Sequence, residues 1–293
     1  MGEDLTSQIL EAKVANVDAI LFLGNVPEAA TLVRVGGEKV KPLKQDLSIF
    51  NRFQFEIPPV GVKFLFFRPE GIEQLAMDKT LSFCEMLTEA QRTRTPFYFS
   101  KENTETCVGK ILLGMEEMEP FAESGQIGDR LEIFQEPRAN HIFYQYVPKF
   151  GKGTVNYVAF STLDKLPFEP DVLIIVATPS QAEIVMRAMS YSTGELYTSK
   201  TTPVMGCAWF YIYPYQTGKV NFLIPEMVHG MKARELFAEG LILVSIPYHW
   251  IPIITQNLKE MKWALPAYTG GREKYLEQEK KIFEALAQES RNP

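Results

Sequence analysis

The chain has 293 residues, 46% of them hydrophobic, and a formal charge of -6. That is enough apolar material for a sizeable core, in one extended domain or two modest ones, which places the chain among globular proteins. With 30 basic residues against 36 acidic ones there is no cationic excess for a phosphate backbone, so no nucleic acid is expected as a partner. The apolar runs also fall short of the roughly 18 residues that a membrane-spanning helix needs.

In chain order, Asp4 to Val14 reads as a short helix capped by Asp4, and Asp18 to Leu23 as a strand closed by Gly24-Asn25. Val26 to Ala30 starts a helix before the Gly36-Gly37 break. Leu47, Phe50 and Phe53 recur at helical spacing until Pro58-Pro59, whose rings remove backbone donors and end that helix. Val60 to Phe67 follows as a strand, and Leu75 to Arg92 as a helix or helix pair with Cys84 beside Leu81, Met86 and Leu87. Pro96 to Phe99 is short, aromatic and strand-like, and Ser100 to Asn103 reads as a turn and cap. With Asn103 or Thr104 as N-cap, Cys107 falls in the first turn of a helix running through Leu112 to Met115.

The second half alternates more plainly. Asn156 to Phe160 is a strand, and Val172 to Ala177 has the unbroken apolar character of a strand buried on both faces. Thr178-Pro179-Ser180-Gln181 opens a helix through Tyr191, and a further strand is expected near Leu196 to Thr198. The block from Trp209 to Tyr215 serves either as core or as the wall of a cofactor pocket. Beyond Thr269-Gly270-Gly271, Arg272 to Gln288 carries Tyr275, Leu276, Ile282, Phe283 and Leu286 at helical spacing, a pattern suited to packing on another subunit or to a solvated terminal helix. The pattern predicts an α/β fold, a mixed sheet with flanking helices plus a C-terminal helical extension. It divides into an extension packed on the body over 1–43, an α/β domain over 44–261, and a linker and helix over 262–293.

The three cysteines, Cys84, Cys107 and Cys207, stand beside small or polar neighbours rather than inside apolar runs. Buried packing is the ordinary use of such residues. There is no C-x-x-C, no Cys/His tandem and no zinc-ribbon spacing, so a metal site would be assembled from three distant segments. Cys107 has the strongest claim, because a helix N-terminus stabilises a thiolate. His229, in Met227-Val228-His229-Gly230-Met231, and His249 are further candidate ligands, and His141 a weaker one. The odd cysteine count, with no apolar signal segment at the N-terminus, points to a reducing cytoplasm. Neither G-x-G-x-x-G, nor a P-loop, nor a G-x-S-x-G elbow is present.

Several segments occur in a fixed order: Pro58-Pro59-Val60-Gly61-Val62-Lys63-Phe64, Phe83-Cys84-Glu85, Thr106-Cys107-Val108-Gly109 with Leu113-Gly114, Glu169-Pro170-Asp171-Val172 with Pro179, Met205-Gly206-Cys207-Ala208, Gly218-Lys219-Val220-Asn221, and Ser245-Ile246-Pro247. In that order they resemble the prokaryotic domain of unknown function 169, the ArCR-like family, over about Lys44 to Met261. The resemblance implies cysteines at the positions of Cys84, Cys107 and Cys207. Where relatives have a Gly-Cys-Tyr-Gly-Cys/Ser-Arg-like segment, this chain has Met227 to Lys232, keeping the glycine and the basic residue but not the thiols.

Two functional readings follow. In the first, Cys84, Cys107 and Cys207 converge on a soft metal or a [4Fe-4S] cluster, with His229 as fourth or outer ligand. The protein would then have a redox or Lewis-acid role, a redox partner protein and a place in a homo-oligomer. In the second, the chain is a non-catalytic cofactor-binding or assembly module whose cysteines are structural and whose pocket is aromatic.

Overall fold

The computed structural model describes residues 21–23, 31–33, 39–76, 80–105 and 108–290, and the helices expected at Asp4 to Val14 and from Val26 lie outside them. β1 (Leu21–Leu23) and β2 (Thr31–Val33) pair as a two-stranded antiparallel ribbon. Next come β3 (Val60–Leu65), β4 (Glu73–Gln74), α1 (Glu85–Thr93), β5 (Phe97–Phe99), α2 (Val108–Leu112), α3 (Pro120–Glu123), α4 (Gln126–Arg130), α5 (Pro137–Tyr146), β6 (Tyr157–Thr162), β7 (Val172–Ala177) and α6 (Pro179–Ser190). The chain ends with α7 (Tyr213–Thr217), β8 (Asn221–Leu223), α8 (His229–Ala233), β9 (Ile242–Pro247), α9 (Ile251–Glu260) and α10 (Pro266–Glu289).

Seven strands form one mixed sheet in the order β4-β5-β6-β3-β7-β9-β8. Only β4 and β5 run parallel, and the other neighbours are antiparallel. The two segments with the longest apolar runs, β3 and β7, are central and mutually paired, Val60 opposite Ile174 and Val62 opposite Val172. The period of two along each strand sorts their side chains. Val60, Val62, Phe64, Val172, Ile174 and Val176 enter one core layer, and Leu65, Leu173, Ile175 and Ala177 enter the other. Gly61 is needed where it stands, because a Cβ there would lie 2.5 Å from Leu166 Cδ1 and 3.1 Å from Pro170 Cβ.

α6 and α9 cover the second layer. α6 begins as expected, with the Thr178 hydroxyl accepting from the Gln181 amide and the Gln181 side chain accepting from the Thr178 amide, a reciprocal capping box ahead of Pro179. Asn257 on α9 donates to the Ala188 carbonyl at 2.8 Å and ties the two helices together. The spacing of Leu47, Phe50 and Phe53 closes as a 3₁₀ helix over Ser48–Phe53, in keeping with its strict repeat of three.

The first layer is covered by α1, α2, α8 and the aromatic block. Ala208–Ile212 is a π-helical turn, and Phe210, Tyr211 and Ile212 are fully buried, so most of the block is core. Each such side chain contributes on the order of 1.5–3 kcal/mol by leaving water.

Three elements differ from the sequence reading. The helix expected from Leu75 begins only at Glu85. Upstream, buried Asn103 donates to the Leu75 carbonyl at 2.8 Å and accepts from the Gln74 side chain at 2.8 Å, which holds that stretch as an edge strand. The strand expected near Leu196 is an irregular strap. α10 starts earlier than expected, at Pro266, and carries the predicted break as a non-helical Gly271 (φ 65°, ψ -168°). Among the described residues no helix is long and apolar enough to cross a membrane.

Candidate functional site

A cavity of about 480 Å³ opens between the first core layer and solvent. Its floor comes from two turns. At one, Ser82 and Glu85 cap each other's amides (2.8 and 3.3 Å), which starts α1 and sets half-buried Cys84 immediately ahead of it. At the other, Met205 adopts φ 59° and is followed by Gly206 and buried Cys207. That backbone conformation is costly for a side chain larger than glycine's, so the surroundings must hold it in place. The contacts are close: a Cβ on Gly206 would sit 2.8 Å from Val228 Cγ1 and 3.2 Å from Met231 Cε.

Beneath both cysteines lies Tyr211, stacked on Phe83 at 4.2 Å between centroids, its hydroxyl donating to the Phe83 carbonyl at 3.3 Å. Burial, with smaller contributions from neighbouring Cys84 and Cys207, pushes that phenol well above its ordinary range, so it remains a neutral donor. Val108 and Ile111 of α2, Ala122 of α3 and Ile127 of α4 form the opposite wall. Charge is confined to the rim. Arg234 reaches Glu105 at 3.3 Å and Glu85 at 3.7 Å, and Glu116, Glu117 and Glu119 stand across the mouth. Glu117 pairs with Lys152, which holds its carboxyl below the usual range.

The structure brings Cys84 and Cys207 to one wall, as their unusual settings suggested, while Cys107 lies outside the described residues. His229 is exposed, with its amide donating to the Pro203 carbonyl at 2.8 Å. Its neighbours Val228, Gly230 and Met231 line the cavity instead. Among the described residues none of the chain's three histidines lines it.

The metal reading is therefore corrected. Among the described residues no group of three or more His, Cys, Asp or Glu side chains is placed to hold a metal ion. A protein-held [4Fe-4S] cluster draws on about three to four thiolates, and the described wall brings two cysteines, with thioethers and aliphatic carbon as their neighbours. The three-cysteine iron–sulfur or metal site at Cys84, Cys107 and Cys207 falls, and with it the redox or Lewis-acid role and the ground for a redox partner. Sequence reasoning missed Met205 and Arg234 as site residues, whereas Met231, which with His229 was a candidate to replace the relatives' thiols, does line the cavity. Arg234 lies just past the Met227 to Lys232 segment, at the C-cap of α8, and nothing in the local spacing marks it.

The fold and the cavity together define a class: a layered α/β protein with a mixed sheet and an apolar, sulfur-lined hollow against one face. More particularly, the chain belongs to the domain of unknown function 169 family, described as uncharacterised ArCR, whose family model matches residues 49–257. No curated protein and no solved structure matches the chain.

Proposed function

We propose that this protein is a binding module that holds a small, largely apolar cofactor or ligand in the hollow between α1, α2 and α8, in contact with Cys84 and Cys207. The observation that carries this reading is the cavity itself: about 480 Å³ lined by thiol, thioether and aliphatic groups, with charges only at its mouth. Such a hollow favours a ligand that buries apolar surface, and polarisable sulfur adapts to its shape. The acidic rim and Arg234 leave the rest of the lining free of charged side chains. A reducing, cytoplasmic setting suits an odd number of cysteines.

The test is titration of the full chain with Nile red, an uncharged apolar dye. A saturable rise in emission at one dye per chain is expected. Ala122→Trp, which fills the outer wall from a half-buried position, should weaken binding at least tenfold while the circular dichroism spectrum stays unchanged. Unsaturable partitioning of the dye, or equal affinity in a folded Ala122→Trp variant, removes the reading.

A further inference from the structure

The opposite face of the sheet carries a second hollow, of about 290 Å³ and different chemistry. Val62 and Phe64 of β3 enter the core layer beneath the sulfur-lined cavity, so strand alternation turns Lys63 to the other side, with Leu65. Two segments singled out in the sequence, Val60 to Phe64 and Glu169 to Val172, meet there. Asp171 continues the β3–β7 ladder by one residue. Its amide donates to the Val62 carbonyl at 2.8 Å, and its Oδ2 accepts from the Phe64 amide at 2.7 Å. Its Oδ1 accepts from Lys63 Nζ at 3.1 Å, and the two side chains are only 21% and 18% exposed. Lys39, Lys41, Glu169 and Tyr248 complete the lining, and burial, followed by neighbouring Glu169, pushes the Tyr248 phenol above its ordinary range.

One N–H of the Lys63 ammonium is used on Asp171, and its other two meet no hydrogen-bond partner among the described residues. Three ammonium groups face two carboxylates in this lining, so one positive charge is in excess. A singly charged anion would balance it. A doubly charged one would add repulsion against Asp171 and Glu169, both already partly withdrawn from water. We propose that this hollow binds a small organic carboxylate, its acid group on Lys63 with Lys39 and Lys41 closing over it, and its remainder against Tyr248. This site is independent of the apolar hollow, which lies across the sheet.

The experiment is isothermal titration calorimetry of the full chain with propionate, inorganic phosphate and chloride at fixed ionic strength. Propionate should saturate at one per chain, with phosphate and chloride at least tenfold weaker. Lys63→Gln should weaken propionate at least tenfold, and Ala122→Trp should leave it unchanged. Should Lys63→Gln fail to fold, the paired variant Lys39→Gln/Lys41→Gln, at exposed positions, carries the test with an expected loss of about threefold. No saturable propionate binding, phosphate binding as tightly as propionate, or undiminished affinity in whichever of these lysine variants folds overturns the proposal.

Discussion

Asp171 shows how one residue serves fold and chemistry together. Its carboxylate takes the place of a ladder partner for the Phe64 amide, and burial there raises its pKa above the usual 3.8 despite the Lys63 ammonium and that amide. The sign follows directly. A carboxyl that binds its proton more tightly folded than unfolded contributes stability that is complete below the unfolded pKa and lost as pH rises through the folded one. The other charged or titratable groups facing it are Lys39, Lys41, Glu169, Tyr215 and Tyr248. Asp171→Asn keeps an acceptor for Phe64 but cannot titrate. The urea midpoint of this variant relative to the parent protein should rise as pH increases above the unfolded pKa, about 4, and level off once Asp171 is ionised in the folded parent. A difference that stays flat with pH would show that Asp171 has the same pKa folded and unfolded.

At the scale of elements, the start of α1 rests on the Ser82–Glu85 capping box, and Cys84 owes its place on the cavity floor to that start. Ser82→Ala should cost about 1 kcal/mol in chemical denaturation. It should also loosen the cavity floor, read as faster reaction of Cys84 with a thiol reagent; parental stability and reactivity would place the helix start elsewhere. The S-x-x-E spacing was present in the sequence, yet the helix was read back to Leu75. Local periodicity could not reveal that Asn103, 28 residues downstream of Leu75, captures that backbone. The central strands and α6 were legible because their signals are local: unbroken apolar runs, a proline at N1, a capping pair. The cysteines were half legible. Gly206 and the polar neighbours marked them as unusual, but the number of ligating side chains that meet around a point depends on tertiary packing, which spacing in one chain does not encode.

Across the whole molecule, the sheet separates two hollows, one sulfur-lined and one charged. α10 leaves the body past Gly271 with Tyr275, Leu276, Ile282, Phe283 and Leu286 exposed by 40 to 65%. The sheet's two edges are finished differently. At one, β4 is only two residues long. At the other, β8 is bordered by the irregular strap, and fully buried Asn221 accepts from the Lys200 amide at 2.8 Å and donates to the Lys200 carbonyl at 3.0 Å. A single amide side chain thus imitates the paired bonds of a further strand. Together with the Phe222 amide, which donates to the Thr198 carbonyl at 3.2 Å, it covers a border that would otherwise present a row of unpaired peptide groups. Asn221→Ala should cost about 3 kcal/mol through the groups it strands. More tellingly, on storage it should gain light scattering and thioflavin T fluorescence faster than its parent. A variant that is less stable yet stays as dispersed as its parent would mean that the strap guards the border without Asn221. If the border does open, the protein's colloidal behaviour would then depend on one carboxamide that lines neither hollow.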